Sequence, residues 1–153
     1  MSSPSPFVVR ERVRWADVDL VGIMRFSAVT RLVEMAEQEL LREAGLPYSM
    51  IFSAPEIWMP RRHLTIEYFS PARIDDELAL VTYISRLGDT SLTVNVDVRH
   101  ATTNRLVATA VMVVVCVTVA AFAKRPLPRV VREALTPFVH AAVDMQAEPP
   151  RTE

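Results

Sequence analysis

The chain has 153 residues, the length of one ordinary domain, which leaves no room for a separate cofactor-binding module. Hydrophobic residues make up 50% and charged ones 23%, enough apolar surface to offset the entropy of ordering, so extensive disorder is excluded. Seventeen basic residues against eighteen acidic ones leave a net charge of -1; no general field draws the chain onto nucleic acid or an anionic membrane, and neither is expected as a partner.

Met1 to Pro6 reads as a loose Ser/Pro tail without the basic start and apolar run of a secretory signal. The lone cysteine, Cys116, excludes an intramolecular disulfide, and both points suggest a cytoplasmic protein. Phe7 to Trp15 alternates, with Val9, Val13 and Trp15 on one parity and Arg10, Arg12 and Arg14 on the other, which predicts a strand with one wet face. Asp17 to Phe26 has no clean period and contains Gly22, a turn signal. From Ser27, taken as the N-cap, Val29, Leu32, Val33, Ala36, Leu40 and Ala44 recur at three- and four-residue steps, while Arg31, Glu34, Glu37, Gln38 and Arg42 fall elsewhere. This predicts an amphipathic helix stopped by Gly45 and Pro47.

Tyr48 to Glu56 reads as an irregular connection. Leu64, Ile66 and Tyr68 then alternate with His63, Thr65 and Glu67, and Pro60 near the start predicts an edge strand. Leu78, Leu80 and Ile84 mark the next strand, Gly88-Asp89 a tight turn, and Leu92, Val94, Val96 and Val98 the other arm of a hairpin. Leu106 to Ala123 carries no charge over 18 residues, the length of a membrane span. Its wealth of Val and Thr favours a buried strand instead, and since a straight strand of that length would reach about 60 Å, it should bend or stop near Thr118. The order is thus β-α-β-β-β-β. Residues 124–153 form a proline-containing extension in which Val130, Val131, Ala134, Leu135, Phe138 and Val139 have helical spacing, with Pro137 as a break and Thr136 as the cap of a second turn. The whole chain, 1–153, reads as one domain.

For chemistry, His63, His100 and His140 are isolated and lack metal-ligand spacing, no Gly-x-Ser-x-Gly elbow occurs, and three glycines are too few for a phosphate loop. No metal and no cofactor is expected. What remains is Asp17-Val18-Asp19, two carboxylates just before a helix start. An aspartate is ionised at neutral pH and can attack an acyl carbon or take a proton from water, while the helix start offers N–H donors to an oxyanion. The plainer reading is that both acids bond nearby backbone N–H groups as turn residues.

The run Val13-Arg14-Trp15-Ala16-Asp17-Val18-Asp19-Leu20-Val21-Gly22-Ile23-Met24, followed by a helix, resembles the opening motif of hotdog-fold acyl-CoA thioesterases of the 4-hydroxybenzoyl-CoA thioesterase type. The likeness continues through Ile66-Glu67-Tyr68, Pro71-Ala72, Asp75-Asp76-Glu77-Leu78 and Pro126-Leu127-Pro128. It implies an α+β hotdog fold, a long helix wrapped by a curved five-stranded antiparallel sheet with a C-terminal helical tail. It also implies hydrolysis of an acyl-CoA or acyl carrier protein thioester, with Asp19 as nucleophile or general base. Two subunits would join their sheets, each site drawing on both, so a homodimer or homotetramer is implied. Gly22, Arg25, Phe26 and Ser27 would line the substrate site, and Arg61 and Arg62, with Arg86, would meet the CoA phosphates. After Gly22 the family has an aromatic residue, an Asn and a second Tyr where this chain has Arg25-Phe26-Ser27-Ala28-Val29. That departure implies an alternative: a hotdog protein that binds acyl-CoA without turnover.

Overall fold

The computed structural model describes residues 6–53 and 58–141. The elements, in chain order, are β1 (Phe7–Arg12), a 3-10 turn (Trp15–Asp17), α1 (Ala28–Glu43), α2 (Tyr48–Ser53), β2 (Arg61–Tyr68), β3 (Glu77–Leu87), β4 (Ser91–His100), β5 (Leu106–Val115), α3 (Arg129–Leu135) and a second 3-10 turn (Thr136–Phe138). The five strands form one antiparallel sheet in the order β1-β3-β4-β5-β2. This is the expected hotdog arrangement, and β2, preceded by Pro60, stands at an edge.

Alternation decides which face α1 covers. Leu78, Leu80 and Ile84 share one face of β3; Leu80 and Ile84 lie opposite Val98 and Val94 of β4, and Val98, Val96 and Val94 lie opposite Ala108, Ala110 and Met112 of β5. All of these are buried, and so are Val29, Leu32, Val33, Ala36 and Leu40 of α1, which pack with them in one core. The helix ends as its sequence foretells: Gly45 takes φ +79°, and the N–H groups of Gly45 and Leu46 bond the Arg42 and Leu41 carbonyls at 3.0 and 2.8 Å. That pair of bonds is the Schellman stop, which needs a left-handed residue at Gly45. β5 ends at Val115, before Thr118, where the chain turns back with the Thr118 N–H bonded to the Ala123 carbonyl.

Several expectations are corrected. The first strand ends at Arg12, so Trp15 sits in the 3-10 turn, 84% exposed, rather than on the buried parity of Val13. Tyr48–Ser53 is helical, not irregular, because Pro47 starts a turn that the Met50 and Ile51 N–H groups close on its carbonyl; six residues are too few to show a period. Ser27 occupies the N-cap position with φ -69° and ψ -22°, already helical, and its hydroxyl makes no capping bond. Thr136 does not cap a following turn; its Oγ1 donates back to the Arg132 carbonyl at 2.7 Å, while Pro137 breaks the helix as expected. α3 docks through Val131 and Leu135, both fully buried, and Phe138 meets Phe7 edge-on at 6.1 Å. The remainder of the predicted extension, 142–153, and Met1 to Ser5 of the tail lie outside the described residues, as do 54–57.

Candidate active site

The acidic pair comes apart in space. Asp17 closes the 3-10 turn, Val18 after it is extended (φ -107°, ψ 159°), and the two carboxylates end in different surroundings. Asp17 is 4% exposed. Its Oδ1 accepts from Arg31 Nε at 2.8 Å, and its Oδ2 from Arg31 Nη2 at 2.6 Å and from the Arg14 N–H at 2.8 Å. Burial pushes this carboxyl up, but the bonds from Arg31 and Arg14, with the Arg31 charge, outweigh burial and hold it below the ordinary aspartate value. Arg31 also lies 3.7 Å from Glu11 of β1, which in turn binds Arg14 at 2.9 Å. A cation in the first turn of a helix opposes the macrodipole; the two acids from β1 and the loop compensate it and fasten that loop to α1.

Asp19, two residues on, is exposed. Its Oδ1 accepts from the N–H groups of Val21 at 2.9 Å and Ile23 at 3.2 Å. The Asp19 N–H bonds the Ile23 carbonyl at 2.9 Å, and the Gly22 N–H bonds the Asp19 carbonyl at 3.1 Å. Gly22 has φ +75°, a conformation that side-chain-bearing residues avoid. The carboxylate is therefore aimed by a small hydrogen-bonded loop, and its Oδ2 has no hydrogen-bond partner among the described residues. Around it Trp15, Val18, Leu20, Arg25 and Ile74 line an open hollow of about 510 Å³.

The residues expected to bind substrate divide. Gly22 shapes the loop. Arg25 lines the hollow, but its guanidinium donates to the Ala16 carbonyl, so the charge is turned onto the loop itself. Phe26 is 77% exposed, and its carbonyl accepts from Tyr68 Oη at 2.8 Å, fixing the end of β2 against the start of α1. The backbone N–H groups of Phe26 and Ser27 have no hydrogen-bond partner among the described residues, while the next one, that of Ala28, bonds the Arg25 carbonyl at 3.0 Å. Two donors at the start of a helix thus stand in the same segment as Asp19. Arg61 is elsewhere. It lies seven residues along β2 from Tyr68, roughly 23 Å at the rise of a strand, and there it pairs with Glu37 of α1. Arg62 is exposed beside it. Within one protomer neither arginine reaches the Asp19 hollow.

The sequence pattern missed Arg31 and Glu37. Arg31 was readable only as a polar-face residue, though a cation in a helix's first turn is itself a sign of a nearby acid. Glu37 falls on the polar side of the helical pattern, yet it is 4% exposed.

With this geometry in view, the sequence profile of the thioesterase-like superfamily matches residues 13–135, the span from the start of the acidic loop to the end of α3. The chain belongs to the thioesterase-like superfamily. Among curated relatives, the acyl-CoA thioester hydrolase YbgC of Escherichia coli O6:H1 is 30% identical over 118 residues, covering 77% of this chain and 87% of that protein. The 1,4-dihydroxy-2-naphthoyl-CoA hydrolase of Synechocystis is 25% identical over 134 residues, covering 88% and 97%. Among solved structures, a gentisyl-coenzyme A thioesterase superposes with a TM-score of 0.74 at 26% identity, covering 84% of this chain and 99% of that one. The Synechocystis 1,4-dihydroxy-2-naphthoyl-CoA thioesterase gives 0.80 at 24% identity over 86% and 96%, a likeness of fold. The superfamily membership and hotdog fold implied by the acidic motif hold, and reading the chain as a thioester hydrolase agrees with these relatives' names. No helix among the described residues is long and apolar enough to cross a membrane; the first part of the uncharged run, Leu106–Val115, is β5, between β4 and β2.

Proposed function

We propose that this chain hydrolyses an acyl-CoA thioester with Asp19 as the reacting carboxylate. One observation carries the reading: of two acids of identical type, Asp17 is spent on Arg31, whereas Asp19 keeps one oxygen unbonded among the described residues, in an open hollow of the loop that leads to α1. In the nucleophilic route, Oδ2 attacks the thioester carbonyl carbon, the C–S bond breaks and the thiolate leaves to take up a proton. Water then cleaves the mixed anhydride, returning Asp19 and a carboxylic acid. In the general-base route, Asp19 takes a proton from water as that water attacks, and the proton passes to the departing sulfur. Both pass through an oxyanion. The N–H groups of Phe26 and Ser27, at the positive end of the α1 dipole, are its proposed donors, and Gly22 lets the backbone turn there.

The apolar side chains of this loop, Trp15, Leu20, Val21 and Phe26, stand largely exposed in a single chain, a concentration that marks an interaction surface. A second copy of the chain covering this loop is the proposed arrangement, in a homodimer or a pair of dimers. Arg62 and Arg86 are proposed to meet CoA phosphates across such an assembly; an acyl carrier protein in place of CoA would present the same thioester.

The test is a panel of straight-chain, branched and aryl acyl-CoAs assayed by release of free thiol, with light scattering for the assembly. Turnover of at least one thioester, by a species larger than one chain, is the expected result. Saturable acyl-CoA binding without thiol release across the panel would instead establish the binding-only alternative, which rests on the absence, after Gly22, of the Tyr and Asn that the resembling family has.

A further inference from the structure

The Phe26 carbonyl is held from outside its own segment. Tyr68, the last residue of β2, lies opposite Ala108 of β5, and the Phe69 N–H after it bonds the Val107 carbonyl at 2.9 Å, so the sheet fixes where its ring begins. Its Oη donates to the Phe26 carbonyl at 2.8 Å. That bond is not what fastens the loop. The Met24 N–H bonds the Ala72 carbonyl at 2.8 Å, the Ile74 N–H bonds the Gly22 carbonyl at 3.1 Å, and the Arg25 N–H bonds the Asp17 carbonyl at 2.7 Å. The backbone is thus tied on both sides of Gly22 without the tyrosine hydroxyl.

The carbonyl that Tyr68 reaches belongs to a particular peptide. Since the Ala28 N–H bonds the Arg25 carbonyl at 3.0 Å, residues 25–28 form a β-turn whose central peptide is Phe26–Ser27. Ser27, at φ -69° and ψ -22°, has the type I form; the flipped orientation of the central peptide, type II, needs a positive φ at that position. A trans peptide is planar, so its C=O and N–H point opposite ways. Holding the Phe26 carbonyl therefore aims the Ser27 N–H, which has no hydrogen-bond partner among the described residues. A hydrogen bond on the carbonyl also draws electron density toward its oxygen and makes the N–H a stronger donor.

We infer that Tyr68 is a positioning residue for the hydrolysis: its hydroxyl holds and polarises the Phe26–Ser27 peptide, so that the Ser27 N–H stabilises the oxyanion. The inference rests on the reading of Asp19 and the α1 start given above. Charge on the acyl oxygen grows on the way to the transition state, so the gain from a stronger donor falls on kcat rather than on KM.

The experiment compares the natural chain with Tyr68→Phe, which removes the hydroxyl and keeps the ring, and with Tyr68→3-fluorotyrosine, a stronger donor of nearly the same shape. Thiol release from the best acyl-CoA is measured below the pKa of the fluorinated phenol. Labelling Phe carbonyl carbon and Ser nitrogen isolates the three Phe–Ser peptides of the chain, and Ser27→Ala assigns the one at 26–27. Tyr68→Phe should move both of its resonances upfield and lower kcat roughly three- to tenfold, the worth of one neutral hydrogen bond, with KM unchanged. The fluorinated chain should move resonances and kcat the opposite way, and it decides the matter if Tyr68→Phe does not melt cooperatively. A tie that only stabilises the fold would not make kcat follow the acidity of the hydroxyl. The resonance shifts should persist in an Asp19→Asn background, where hydrolysis is lost. Hydrolysis that depends on Asp19 but keeps its kcat in Tyr68→Phe would overturn this inference alone, as would a change in KM without one in kcat, or unmoved Phe26 and Ser27 resonances. Absence of hydrolysis by the natural chain would overturn both readings.

Discussion

Replacing each acid of the Asp17-Val18-Asp19 run by Asn should separate the proposed reacting group from an anchoring one. In Asp19→Asn the amide oxygen can still accept from Val21 and Ile23, which keep Oδ1 in place, and the side chain is exposed. Stability should therefore change by no more than about 0.5 kcal/mol. What is lost is the unbonded oxygen and its charge. A positioned acid or base contributes about 10²- to 10⁴-fold, so kcat/KM should fall by that factor, or about 2.7 to 5.4 kcal/mol of transition-state stabilisation. Asp17→Asn should do the reverse. It replaces an oxygen facing Arg31 by an amide donor, and a hydrogen bond to a charged group contributes about 1.5–3 kcal/mol. Because the Arg31 side chain is 38% exposed and can be rehydrated, the loss should be near the lower end, about 2 kcal/mol, with the melting temperature lower by roughly 4–8 °C. Thiol release from the best acyl-CoA, measured beside thermal and guanidinium melts, reads both. Retention of a tenth or more of the activity by a well-folded Asp19→Asn chain would refute the role given to this residue.

The Asp17 carboxyl sits below its ordinary value in the folded chain, so its contribution is fully present above the unfolded value of about 3.9 and is lost as pH falls through the lower folded value. The stability gap between the natural chain and Asp17→Asn should hold from pH 7 to about 5 and close on further acidification, as guanidinium midpoints will show. Gly22→Ala and Gly45→Ala meet no atom within 4 Å, yet each must adopt positive φ. Both should cost about 1–2 kcal/mol, but only Gly22→Ala should also lower kcat/KM, because only that loop aims Asp19. Leu135→Ala, at a fully buried position of α3, should cost about 2–5 kcal/mol in the same melts, and a loss below 1 would mean that the helix is not docked on the core.

The fold was legible where its causes are local. Gly45 and Pro47 stop α1 by backbone sterics, the alternation of Leu92 to Val98 sets the buried face of β4, and both signals lie within a few residues. Partners distant in sequence were not legible. Glu37 has the composition of a wet-face residue, and its burial depends on Arg61, which arrives on another element. The spacing of Asp17 and Asp19 would put both on one face of a strand, but the 3-10 turn ending at Asp17 breaks that rule, and nothing in the motif says which acid is anchored. Ser27 has the right chemistry for a cap but is overtaken by the turn from Arg25, which winds the backbone before the hydroxyl can be used.

The junction of Glu11, Arg31 and Asp17 joins a strand, a helix and the intervening segment. Along the chain, Asp19 and the Phe26 and Ser27 amides lie between Asp17 and Arg31, so the Asp17–Arg31 pair closes the segment that carries them. In the proposed hydrolysis an electrostatic environment held this way would be preorganised, with little reorganisation cost at the moment negative charge develops on the acyl oxygen. Rate differences between thioesters should then arise from how well each leaving group and acyl chain fits a fixed frame, rather than from how readily the frame assembles around it.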